Sequence, residues 1–184
     1  MQPLSFRTGM IVATIAMVVL VVASNILVQV PISAWFTWGT VTYPFCFLVT
    51  DLTNRAYGPA AARRVVYVGF ALAVLLSVQA AGWRIALASG SAFLIAQLLD
   101  IYVFDRLRRS SIWWQPPLVS SLAGSAVDTA WFFTIAFAGT QVPWVTLGTG
   151  DFIAKLLMAL FMLAPFRALM PLFWARPAAG VAPR

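Results

Sequence analysis

All five acidic residues of this 184-residue chain are aspartates, and four of them, Asp51, Asp100, Asp128 and Asp151, fall inside long apolar runs. A charge held at the centre of a membrane helix costs roughly 2.5–3.5 kcal/mol on insertion scales, so it is kept where it is paired, lines a wet cavity or binds something. Other polar groups stand on the same helical faces. Tyr43, Phe47, Asp51 and Asn54 follow i, i+4, i+8, i+11 spacing, and Gly90, Phe93, Gln97 and Asp100 form a second stripe. Ser121, Gly124, Ser125 and Asp128 form a third, followed by Trp131 and Phe132, while Asn25 and Gln29 share a face near the end of the first apolar run. A carboxylate accepts two parallel N–H groups, an amide offers one donor end and one acceptor end, and aromatic rings can flank a flat guest. Such a set suits a planar, donor-rich heterocycle held in a shared polar cavity. Its rival is plain inter-helix hydrogen bonding.

Asp151 and Lys155 are four residues apart, the spacing of a helical ion pair. They read either as a pair that only neutralises itself or as one whose lysine also serves substrate. Asp105 lies beside Arg106 and Arg109 at a boundary and reads as structural. Histidine is absent and Cys46 is the single cysteine, which leaves no cysteine–histidine metal site, disulfide framework or imidazole base. No G-x-x-x-x-G-K-[ST] occurs, so the chain carries no P-loop for nucleotide hydrolysis. No cofactor is expected, and an enzyme is the least supported class.

The elements that position these residues are membrane spans. The chain is 62% hydrophobic and 9% charged, against about 25% charged in soluble domains. The fold class is all-α, a six-span transmembrane helix bundle in one domain, 1–184. Spans are expected at about 9–30, 40–57, 65–82, 85–104, 117–138 and 147–170, with a tail at 171–184. Pro44 and Pro116-Pro117 suit first helical turns, and Gly58-Pro59 a helix stop. The net charge of +7 does not indicate nucleic acid, because the arginines are spread over short loops. Arg7, Arg55, Arg63, Arg64, Arg106, Arg108, Arg109, Arg167, Arg176 and Arg184 fall on one side of a six-span topology and Arg84 on the other. The positive-inside rule then puts both termini in the cytoplasm. Three spans on each side of the 83–84 turn, with Asp51 and Asp128 in the second span of each half, suggest a 3+3 inverted repeat.

The motif T-D-L-T-N-R-A-Y-G at 50–58 with Arg63-Arg64 resembles the queuosine-precursor transporters, also called the vitamin uptake transporter family. Further matches are S-N-I-L-V-Q-V-P at 24–31, Gln97 with L-L-D-I-Y-V-F-D-R-L-R at 98–108, Trp113-Trp114, D-T-A-W-F-F-T-I-A-F at 128–137, and Asp151 with Phe152 and Lys155. They run in order along most of the chain. The resemblance implies a multi-pass protein of the bacterial inner membrane that imports 7-deazaguanines (7-cyano- or 7-aminomethyl-7-deazaguanine) for queuosine in tRNA. It would work as a secondary carrier or facilitator, with an aspartate as proton site. It places Asn25, Asp51, Gln97, Asp100, Asp128, Asp151 and Lys155 at matching motif positions, and with the helical faces above the expected substrate-binding set is Asn25, Asp51, Asn54, Gln97, Asp100, Ser125, Asp128, Trp131, Phe132 and Lys155. Ser125 departs from the family pattern, which has asparagine there, and this bears on which precursor is preferred. Expected partners are the 7-deazaguanine, the lipid bilayer and, as one oligomeric option, a second copy of the chain. The alternative is a substrate-binding membrane subunit of an ATP-driven vitamin or nucleobase importer.

Overall fold

A computed structural model describes residues 4–27, 30, 32 and 38–173, with the side chains at 25, 73, 76–82, 172 and 173 outside that description. Among the described residues the regular structure is helical: α1 (Phe6–Leu27), α2 (Trp38–Thr42), α3 (Pro44–Tyr57), α4 (Pro59–Leu107), α5 (Gln115–Phe137) and α6 (Trp144–Phe173). Four stretches are long and apolar enough to cross a membrane: Phe6–Ser24, Trp83–Leu107, Gln115–Phe137 and Trp144–Pro171. The last residues of the expected first span and most of the expected tail lie outside the described residues.

Local chemistry sets the boundaries. Ser5 caps α1, its Oγ accepting from the Thr8 amide at 3.2 Å. Tyr43 joins α2 to α3 with helical dihedrals (φ −57°, ψ −41°), but Pro44 has no N–H with which to continue the ladder. The pair is thus one interrupted helix. At Gly58 the backbone takes φ +86°, which glycine alone adopts without strain, and Pro59 opens the next helix.

α4 is 49 residues long, which would be about 73 Å if straight. It is not straight. A Cβ placed on Gly58 would lie 3.7 Å from Arg108 Nη1, one on Gly69 3.3 Å from Phe93 Cζ, and one on Gly90 2.9 Å from Val74 Cγ2. Along a straight helix Gly69 and Phe93 would be about 36 Å apart. α4 therefore doubles back as two antiparallel arms, and all three pairs centre on residues 81–83. The sequence suggests a turn at 83–84, and the reversal centres one to two residues before it.

The reversal sorts the arginines. Arg55 donates to the Arg108 carbonyl, Arg108 pairs with Asp105 at 3.1 Å, and the Arg167 guanidinium lies over Trp113. Tyr57 reaches back to the Leu4 carbonyl at this same end. Arg84 is at the other end, donating to the carbonyls of Ile135 and Ala138 at 2.9 and 2.7 Å. Ala13, Met17, Val21, Cys46, Val65, Val66 and Phe93 pack α1, α3 and both arms of α4 together. Leu48, Leu52, Phe104, Met162 and Phe166 seat α3 and the second arm on α6. Outside, large apolar side chains such as Ile15, Leu75, Leu157 and Phe161 are mostly exposed.

Candidate functional site

α3 lies between two partners that fix the polar residues. It runs antiparallel to α5 over three rungs spaced one turn apart. Tyr43 Oη donates to Asp128 Oδ1 at 3.2 Å, the Phe47 ring packs on Gly124, and Ser120 Oγ donates to Asp51 Oδ1 at 3.3 Å. Gly124 permits the middle rung: a Cβ there would come within 2.8 Å of Phe47 Cε1 and 3.1 Å of the Ala96 carbonyl oxygen. α3 runs parallel to the second arm of α4, where Thr50 meets Gln97 and Asn54 meets the Ile101 carbonyl, one turn further along both helices. Parallel pairing here follows from the fold-back of α4.

At the Tyr43 rung the polar groups satisfy one another. Lys155, 7% exposed, reaches Asp128 Oδ2 at 2.7 Å, Asp151 Oδ2 at 2.5 Å and Thr129 Oγ1 at 3.1 Å. An ammonium has three donors, so all are used. Thr129 donates in turn to Asp151 Oδ2 at 2.7 Å. The Tyr43 ring lies 5.7 Å from Lys155 Nζ. On sequence alone Asp128 groups with Asp51 and Asp100 as an aspartate lacking a cation nearby; the fold instead hands it to Lys155, from a different helix.

Beyond Phe47 the accounting differs. Asp51 and Asp100 are neighbours, both buried, with Ser120 against them. Thr50 has one hydroxyl hydrogen and two acceptors, Gln97 Oε1 at 2.7 Å and the Cys46 carbonyl at 3.0 Å. The shorter contact turns the Gln97 carbonyl to Thr50 and its amino end away. Asn54 Nδ2 donates to the Ile101 carbonyl at 3.0 Å, which turns Oδ1 away. Among the described residues Asn54 Oδ1 and Gln97 Nε2 are buried without a hydrogen-bond partner, and the Asp100 carboxyl oxygens have only the Asp51 carboxyl and the Ser120 hydroxyl beside them, with acceptor sites to spare. A buried polar atom without a partner costs about 1–3 kcal/mol, so these groups on two facing helices have hydrogen-bonding capacity that the described residues do not use.

The remaining candidates stand apart. Ser125 is buried on the polar face of α5. Trp131 is 42% exposed and its indole donates to Ser91 at 2.9 Å. Phe132 packs edge-on against Phe133 and Phe137. The partners of these two rings are Ser91 on α4 and aromatic residues of α5. The side chain of Asn25 lies outside the described residues. Tyr43, Thr50, Ser120 and Thr129 belong to the site although they are not among the candidates from sequence. Helical spacing is the signal: Tyr43 is two turns before Asp51, and Ser120 is two turns before Asp128.

A helical bundle with an apolar exterior, one buried charge cluster and a second buried set of unpartnered polar atoms defines a multi-pass membrane protein with an internal polar site. The chain belongs to the vitamin uptake transporter family, whose pattern matches residues 37–82 and 75–170. It is 34% identical to a probable queuosine precursor transporter of Haemophilus influenzae, with 79% of each chain covered. It is 35% identical to the queuosine precursor transporter of Escherichia coli K12, over 79% of this chain and 78% of that one. A probable queuosine precursor transporter of Bacillus subtilis is 28% identical over 69% of this chain. No solved structure matches.

Proposed function

We propose that this chain imports 7-deazaguanine precursors of queuosine across the bacterial inner membrane, as a secondary carrier or facilitator and not an enzyme. The observation that carries the reading is the 34–35% identity, over 79% of the chain, to proteins named as transporters of queuosine precursors. The buried polar set on α3, α4 and α5 supports it, since it offers hydrogen-bonding groups to a small polar ring system and lacks a P-loop beside it.

Six crossings with both termini cytoplasmic complete the proposal. The two arms of α4 would cross separately, and the interrupted α2–α3 would make a further span. Arginines gathered at one end of the molecule, with Arg84 at the other, support this orientation. The rungs between α3 and α5 support a 3+3 inverted repeat. Residues 77 apart are mates: Asp51 with Asp128, Tyr43 with Ser120, Phe47 with Gly124. Exchanging mates converts the Tyr43–Asp128 contact into the Ser120–Asp51 contact and returns Phe47–Gly124 to itself, the behaviour of a local two-fold axis.

The test is uptake of labelled 7-deazaguanines by cells that cannot synthesise them, with and without this protein, followed by liposomes holding the purified chain alone. Uptake in both is expected. Uptake in cells but none in liposomes would point to an ATP-driven assembly, and none in either would end the reading.

A further inference from the structure

The unused hydrogen-bonding capacity of these buried groups has a chemical pattern of its own. Asn54 Oδ1 and the two Asp100 oxygens are acceptors, and Gln97 Nε2 is a donor. Each orientation is fixed by a bond made at the other end of the side chain: Asn54 by the Ile101 carbonyl, Gln97 by Thr50. Gln97, Asp100 and the Ile101 carbonyl that holds Asn54 lie within about 6 Å of helix rise. That is the scale of one edge of a six-membered ring.

We infer that Asn54, Gln97 and Asp100 read the 2-amino-4-oxopyrimidine edge of a fused bicyclic ligand. Such an edge presents a ring N–H and an amino group with two hydrogens, three donors in all, beside one carbonyl acceptor. Three acceptors and one donor on the protein complement it group for group. Asp100 takes the ring N–H and one amino hydrogen in a parallel pair, Asn54 Oδ1 takes the second amino hydrogen, and Gln97 Nε2 donates to the carbonyl. An adenine-type edge, with a ring acceptor where the lactam has N–H, would set a lone pair against Asp100. An edge lacking the amino group would leave Asn54 and one carboxylate oxygen unpaired, the strongest kind of rejection a binding site has. No atom of the set remains for the five-membered ring, so these residues select the pyrimidine edge and not the substituent at position 7. All three side chains are fully buried, so the conformation is closed around them and entry requires α3 to part from its neighbours.

This inference rests on the importer reading for its ligand scaffold, yet equilibrium binding tests it separately. Purified full-length protein is titrated with three ligands that differ only at the edge: 7-deazaguanine, 7-deazahypoxanthine and 7-deazaadenine. The expected result is binding of the first, with the other two weaker by about a hundredfold, the equivalent of two lost hydrogen bonds of tenfold each. Gln97→Glu, which puts an acceptor in place of the donor, should weaken 7-deazaguanine by a similar factor. The ligand series needs no variant, so a misfolded mutant does not blunt the test. Binding of 7-deazahypoxanthine within threefold of 7-deazaguanine, or no binding of 7-deazaguanine, overturns the inference. Edge-selective binding by a protein that gives cells no uptake would uphold it and overturn the importer reading instead.

Discussion

Two polar clusters share the interior, a few helical turns apart on either side of Phe47, and they are opposites. Around Lys155 every strong group has its partner: one cation, two carboxylates, a threonine and a tyrosine close on themselves. Around Asp100, among the described residues, amide atoms are held in fixed orientations without partners and the carboxyl has only Asp51 and Ser120 beside it. Both sets cost free energy to bury, but only the first recovers it within the chain. A self-satisfied network is an anchor, because moving any member exposes a charge. An unsatisfied one is an offer to a ligand. On this comparison Lys155 is expected to anchor the fold, and Asp100, Gln97 and Asn54 to carry the inferred recognition.

The harshest test of that division is Lys155→Met. It would strand Asp128 and Asp151 together, and breaking a buried ionic group by removing one partner costs about 3–5 kcal/mol. Thermal unfolding in detergent should show a large loss. Lys155→Met with Asp151→Leu should remain destabilised because Asp128 still lacks a cation; adding Asp128→Asn should restore most of the stability. Full stability of the double variant would mean that Asp128 does not depend on Lys155.

Asp100→Asn should do the reverse. Folding should be unchanged or improved, since a buried charge is removed, while precursor uptake falls by about a hundredfold, the weight of roughly two hydrogen bonds. A variant that unfolds but transports normally per folded molecule would exchange the roles of the clusters.

Gly124→Ala probes the partition between them. The added methyl meets Phe47 and the Ala96 carbonyl, and overpacking of this kind costs about 1–3 kcal/mol. Phe47→Leu in the same chain should recover part of the loss of melting temperature. Tyr43→Phe is the mildest change. It removes one hydrogen bond to a buried carboxylate and should cost about 1–2 kcal/mol with uptake retained. A loss of uptake as deep as that of Asp100→Asn would show that Tyr43 handles substrate.

Much of this was legible in sequence because it is local. Asp151 and Lys155 sit at helical spacing, so their pairing needs no knowledge of the fold. The stripes through Asp51, Gln97 and Asp100 follow from periodicity alone. What sequence could not supply was which stripe meets which. Asp128 is 27 residues from Lys155 on another helix, and only packing decides that they touch. The same limit explains Trp131 and Phe132. They lie three and four residues after Asp128 and so on its face by spacing, yet there the outer part of α5 turns that face toward Ser91 and toward its own aromatic residues. The partnerless state of Gln97 Nε2 and Asn54 Oδ1 is also invisible in sequence, since it depends on where Thr50 and the Ile101 carbonyl stand.

The fold-back of α4 sets an order of assembly. The ribosome releases the chain from its N-terminus, and once residue 107 has entered the membrane, α3 and both arms can already lie side by side. Thr50 can then find Gln97, and Asn54 the Ile101 carbonyl, while α5 and α6 have yet to enter. Asp128 has no such early companion. It enters with α5 and must wait for the 155th residue before its charge is answered. The contacts between α3 and α4 can form first, and the lysine that answers Asp128 and Asp151 arrives later.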